Sequence, residues 1–172
     1  DEGGGIFSGA DNAVTLTDVD VRDNRTTDRF SDGAGIYSEG TTTVTTSLVR
    51  NNTCDGTSAG GAGIAIASPF SADTPASLTP ARSTVRENPR AGIVNSTISD
   101  NAADNGGGIN CASGSDLLLA HSTVTLNTAT GSGGGVENGG TVRLTHSIVA
   151  NNSGQSGPDG YNRTNATTIS GG

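Results

Sequence analysis

Three arginines fall at matching places in the chain. Arg22, Arg50 and Arg86 each follow a valine and stand two residues before an asparagine, as in Val21-Arg22-Asp23-Asn24. If these segments stack in register, the guanidiniums form a column flanked by Asp23 and Glu87. Such a column could grip an anionic sugar or phosphate through paired N–H donors. Beside its own carboxylates it also reads as a charge-neutralised solvent face. His121 and His146 occupy equivalent places in two later segments. Two imidazoles one repeat apart could hold a metal or sense pH, but no third ligand falls in frame and no metal site is assigned.

Other chemistry finds less support. A glycosidase needs two carboxyl groups about 5–9.5 Å apart in a groove. Asp18, Asp20, Asp32, Glu39, Asp104, Glu137 and Asp159 fall mostly at turns, scattered rather than paired. The chain has no lysine, which removes a lysine base or Schiff base. The calcium-binding nonapeptide pattern is absent, although Asp104-Asn105-Gly106 offers loop oxygens to a weakly held ion. Cys54 and Cys111 are 57 residues apart, in neither a metal pair nor a redox motif, and read as free thiols or as a bridge across a folded-back segment. No catalytic residue and no cofactor is assigned, so the sequence leans away from an enzyme while leaving the question open.

These residues belong to a repeating frame. An eleven-residue unit runs from Val14 to Asn24 and returns as Leu117 to Asn127 and Val142 to Asn152. Its first and third positions are apolar, which is the period of a strand with one face buried. Its eighth position is β-branched in Val21, Val49, Val85, Ile98, Val124 and Val149. Its eleventh is Asn24, Asn52, Asn88, Asn101, Asn127 and Asn152. A glycine cluster precedes it, as Gly3-Gly4-Gly5-Ile6-Phe7, Gly33-Ala34-Gly35-Ile36-Tyr37, Gly61-Ala62-Gly63-Ile64-Ala65, Gly106-Gly107-Gly108-Ile109-Asn110 and Gly133-Gly134-Gly135-Val136-Glu137. Each whole unit holds three short strands, the size of one coil of a parallel β-helix. Stacked coils about 4.8 Å apart would turn equivalent positions into ladders, valine inside and asparagine at a left-handed corner.

Composition agrees with a core one residue wide. Leu, Ile, Val and Phe total 31 of 172 residues, too few to fill one large core, while Gly, Thr, Ser and Asn make up about half the chain. No run of 18 apolar residues suits a transmembrane helix. Net charge −8 argues against nucleic acid, which wants a basic stripe. One stretch breaks the frame: Asn52 to Asn88 is 36 residues and Asn88 to Asn101 only 13, with four of the five prolines between residues 67 and 90. Residues 67–81 therefore read as an excursion from the coil wall, or else one coil is abbreviated around Gly92-Ile93-Val94.

The repeats Gly-Gly-Gly-Ile-Phe/Tyr followed by Val-Thr-Leu-Thr, Ser-Thr-Val and Asn resemble those of secreted bacterial right-handed parallel β-helix surface proteins. These are the polymorphic outer-membrane-type and autotransporter-like proteins, and Ser147-Ile148-Val149-Ala150-Asn151-Asn152 through Gly157-Pro158-Asp159 is similar to their closing coil. The resemblance covers nearly the whole chain. It implies an all-β, single-domain right-handed parallel β-helix of about five to six coils spanning 1–172. It also implies an extracellular or cell-surface location and a structural or adhesive role. A carbohydrate-binding or carbohydrate-active domain using Arg22, Arg50 and Arg86 is the alternative. A remoter one is an ice-binding solenoid, from the outward grid of Thr15, Thr17, Thr43 and Thr45. Expected partners are surface glycans or other chains of a surface assembly.

No signal peptide, membrane barrel or sorting motif is recognised, and the chain opens at Asp1 without methionine, which suggests an excised piece. It starts at a glycine cluster and closes at Ile169-Ser170-Gly171-Gly172, without an amphipathic or charged cap. Bare coil edges are expected to pair end to end. Sedimentation at several concentrations should then show self-association; a strict monomer would contradict the expectation.

Overall fold

The computed structural model describes residues 4–29, 32–57, 59–67 and 90–171. Its strands fall into four parallel sheets wound as a β-solenoid of about five turns, without a helix among the described residues. Sheet 1 stacks Ile6–Ser8, Ile36–Ser38, Ile64–Ile66, Ile109–Cys111, Val136–Asn138 and Gly160–Asn162. Sheet 2 stacks Ala13–Thr17, Thr41–Thr45, Arg90–Val94, Asp116–Ala120, Thr141–Thr145 and Thr167–Gly171. Sheet 3 holds Asp20–Arg22, Leu48–Arg50, Thr97–Ser99, Thr123–Thr125 and Ile148–Ala150. Sheet 4 is made of two-residue strands, Arg25–Thr26, Thr53–Cys54, Ala102–Ala103 and Thr128–Ala129.

Because every pairing is parallel and in register, each frame position becomes a column. Ile36, Ile64 and Ile109 stack inward from sheet 1, Val44, Ile93 and Leu119 from sheet 2, and Val49, Ile98 and Val124 from sheet 3. All nine are 0–1% exposed. Val149, on the last strand of sheet 3, is only half-buried because no rung follows it.

The expected excursion, residues 67–81, lies outside the described residues from position 68 onward. Thr97–Ser99 pairs directly with Leu48–Arg50, so Ile98 and not Val85 is the inward neighbour of Val49. Val85, Arg86 and Asn88 lie outside the described residues. The chain leaves sheet 1 at Ile66 and enters sheet 2 at Arg90, where other coils use two to four residues. No coil is abbreviated at Gly92: Arg90–Val94 is a full five-residue strand, paired on both sides.

Two side-chain ladders hold the corners. Both the backbone N–H and Nδ2 of Asn24 donate to Asn52 Oδ1, at 3.1 and 2.9 Å. The same pair of bonds joins Asn52 to Asn101, Asn101 to Asn127 and Asn127 to Asn152. Each later amide also donates back to a carbonyl of the preceding coil, Asn101 to Val49 O at 3.1 Å. The run ends on Asp159 Oδ1, an acceptor for both donors of Asn152. A second ladder, at the sixth frame position, was not anticipated. The N–H groups of Ser47, Ser96 and Ser122 donate to Oγ of Ser96, Ser122 and Ser147. Each hydroxyl in turn donates to the carbonyl two residues earlier.

The left-handed corner residue is not the ladder asparagine but the residue before it. Asp23, Asn51, Asp100, Leu126 and Asn151 have φ between 54° and 61°, and the fifth frame position behaves likewise from Asp18 to His146. Turning the chain one residue early points the next side chain inward, where its amide meets the adjoining coil. The glycine clusters are required by the same stacking. A Cβ on Gly108 would lie 2.6 Å from Gly135 O and 2.9 Å from Asn127 Nδ2.

Asn101→Ala should lower stability by roughly 3–5 kcal/mol, since it strands the Asn52 donors and the Val49 carbonyl in a dry corner. Val124→Asp should cost at least as much by burying an unpaired charge. Urea denaturation checks both; a variant that unfolds with the parent would refute the assigned register.

Candidate functional site

Two arginines of the expected column stand side by side, and the chain's own carboxylates face them. Arg22 and Arg50 are register partners on the outer face of sheet 3. Arg50 donates to both oxygens of Asp20, at 3.1 and 2.8 Å. Arg22 lies 3.3 Å from Asp20 and 3.3 Å from Asp23. The hydrogen bonds and charge of Asp20 push the Arg50 pKa up, fixing its protonated form. The next position in this column is Ser99, and Arg86 lies outside the described residues. Two guanidiniums facing two carboxylates leave no excess charge for an anion, and exposed pairs of this kind stabilise little.

His121 and His146 stack on adjoining coils, ring centroids 4.9 Å apart and planes within 7°. Nitrogen lone pairs lie in the ring planes, so parallel rings do not converge on one ion about 2 Å from each. Among the described residues no three metal-ligating side chains of His, Cys, Asp or Glu gather. The cysteines are free and buried, Cys54 in sheet 4 and Cys111 in sheet 1. Glu137 is 2% exposed; its Oε1 accepts from Ser132 Oγ and Arg163 Nε, both at 2.9 Å. Its burial was invisible in the sequence, because Arg163 and Ser132 reach it from separate turns.

The threonine grid exists but is short. Thr15 and Thr17 pair with Thr43 and Thr45, and the next rung replaces them with Gly92 and Val94.

Further along the same outer face of sheet 2 lies a cluster that the sequence did not assemble. Arg90, Asp116 and Thr141 form one outward column, and Gly92, Leu118 and Arg143 form the column beside it. Asp116 stands between two guanidiniums, 3.9 Å from Arg90 Nε and 4.0 Å from Arg143 Nη1. Both distances exceed hydrogen-bond reach. A depression of about 330 Å³ lies here, lined by Arg90, Ala91, Asp116, Leu117, Leu118 and Arg143. Arg90 had no visible register, since the long connection displaces it from its glycine cluster.

No family model, curated protein or solved structure matches the chain.

Burial in the coil interior pushes the Cys111 thiol from 9.0 up to about 12, and raises Cys54 for the same reason. Native protein should therefore resist iodoacetamide at pH 8 at both sites and react fully in urea. Above about pH 9 the unfolded thiol ionises while folded Cys111 stays protonated, so this group makes stability fall as pH climbs toward 12. Mass-spectrometric counting of alkylated thiols checks the first point; rapid native labelling would contradict it.

Proposed function

We propose that the chain is a non-catalytic structural or adhesive segment of a secreted or cell-surface bacterial protein. The observation that carries this reading is how its polar groups are used. Corner asparagines and serines bond from coil to coil, and Arg22, Arg50 and Arg163 are matched to carboxylates of the same solenoid. Such groups stiffen a wall rather than wait for substrate. A solenoid held by bonds along its axis resists local opening and the proteases that need it. Its partners are then surface glycans or neighbouring chains, including another copy stacked end to end.

The rival reading is a carbohydrate-binding or carbohydrate-active domain. It is favoured by the depression between Arg90 and Arg143, on the outer wall rather than at the Arg22 column. An ice-binding surface has less behind it, because the threonine grid gives way at Gly92 and Val94. A glycan array run beside a polysaccharide turnover assay separates the readings. The adhesive reading expects bound glycans without any released product; catalytic release of sugars would overturn it.

A further inference from the structure

Glycine is rare in strand centres because it adds backbone entropy and packs nothing. Most glycines here are demanded by contact, since an added Cβ would strike a carbonyl or side chain within 3 Å. Gly92 is different. It lies in the middle of Arg90–Val94, and a Cβ there would meet nothing within 4 Å. Its neighbours in the column, Thr43 and Leu118, show that the fold accepts larger residues at this position. A strand glycine that the fold does not need marks a place where something else approaches the backbone.

The surroundings say what that is. Among the described residues Asp116 is the single carboxylate set between Arg90 and Arg143, so the described cluster is positive by one charge in a chain of net charge −8. By contrast Arg25 pairs with Asp55, Arg163 with Glu137, and Arg22 and Arg50 together face Asp20 and Asp23. Neither Arg90 nor Arg143 is within hydrogen-bond distance of Asp116, and both are more than half exposed, so their forks remain directed at solvent. Leu118, 42% exposed, provides an apolar floor beside the bare Gly92 backbone.

We propose that this face binds an acidic sugar, a ring carrying both a carboxylate and hydroxyl groups. Arg90 and Arg143 donate to the carboxylate. Asp116 accepts from hydroxyls, and the ring lies on Leu118 and the Gly92 backbone. Asp116 is what selects this class: it repels compact anions such as sulfate, which has no donor, or phosphate, whose few hydroxyls sit on the charged group itself, and rewards a ligand that brings separate hydroxyl hydrogens. The proposal rests on the non-catalytic reading, takes from its rival only the binding of carbohydrate at this depression, and names the ligand class.

The test is titration of the intact chain, followed by calorimetry and amide chemical shifts. The probes are trigalacturonate, a glucuronate-containing trisaccharide, neutral galactotriose and inorganic phosphate. At least one acidic trisaccharide should bind, shifting amides of 90–94, 116–120 and 143, with affinity falling as salt rises. Galactotriose and phosphate should each bind about tenfold or more weakly. Gly92→Thr, which copies the neighbouring rung, should keep or raise the melting temperature and lose at least about tenfold in affinity. Arg143→Gln should weaken acidic sugars while leaving the fold intact. The proposal is overturned if neither acidic trisaccharide saturates, if phosphate binds as tightly as they do, or if Gly92→Thr binds unchanged. Those failures leave the non-catalytic reading standing, whereas sugar release would remove that reading whatever the affinities.

Discussion

A side-chain amide that meets its own copy about one strand spacing away organises this molecule. Asparagine carries donor and acceptor on one planar group, so Oδ1 can serve the coil behind while Nδ2 serves the coil ahead. At Asn52, Asn101 and Asn127 both roles are filled, and the backbone N–H is satisfied by the same partner oxygen. An aspartate in mid-ladder would lose the donors, and a leucine would strand the neighbours on both sides. The corner therefore admits one residue type, wherever a coil continues in both directions. Where sheets 3 and 4 end, the acceptor-only Asp159 takes the last pair of donors.

This constraint reaches the other surfaces through register. Once the corners are pinned, sheets 1 to 3 stack without slippage, so inward columns can be narrow and uniform. The apolar core needs few large residues, which is why a chain poor in leucine and phenylalanine still folds. Outward columns are released from packing and vary from rung to rung. On sheet 3 the variation yields matched charges at Arg22, Arg50 and Asp20; on sheet 2 it yields threonines, then a bare glycine, then leucine and arginine. Recognition, in such a design, is written on a face whose identity the fold does not dictate.

Much of this was legible in the sequence because a ladder repeats its residue type at constant phase. The glycine clusters, the Val/Ile column and the asparagine column all announce themselves in that way. The serine ladder was equally periodic at Ser47, Ser96, Ser122 and Ser147, but serine is common here and its role depends on a hydroxyl bridging backbone atoms. The left-handed residue was displaced by one, since both Asp23-Asn24 and Asn51-Asn52 offer two candidates for it. Val85 and Asn88 fit the frame in sequence as well as Ile98 and Asn101, which take the rung beside Leu48–Arg50, because local spacing carries no information about which strand pairs there. Arg90 escaped for the converse reason: the connection after Ile66 separates it from the cluster that would have set its phase.

Amide hydrogen exchange measures the central interaction residue by residue. If side-chain oxygens truly replace a missing strand partner, the N–H groups of Asn52, Asn101 and Asn127 should exchange as slowly as Val49, Ile98 and Val124 in the adjoining strands. Asn51 and Leu126, one residue before Asn52 and Asn127, provide the backbone-bonded comparison at two of the corners. Removing one amide with Asn101→Ala should then release the Asn52 N–H while Asn127 stays protected through Asn152. Fast exchange at all three asparagines in the parent chain, at rates typical of open turns, would contradict the account.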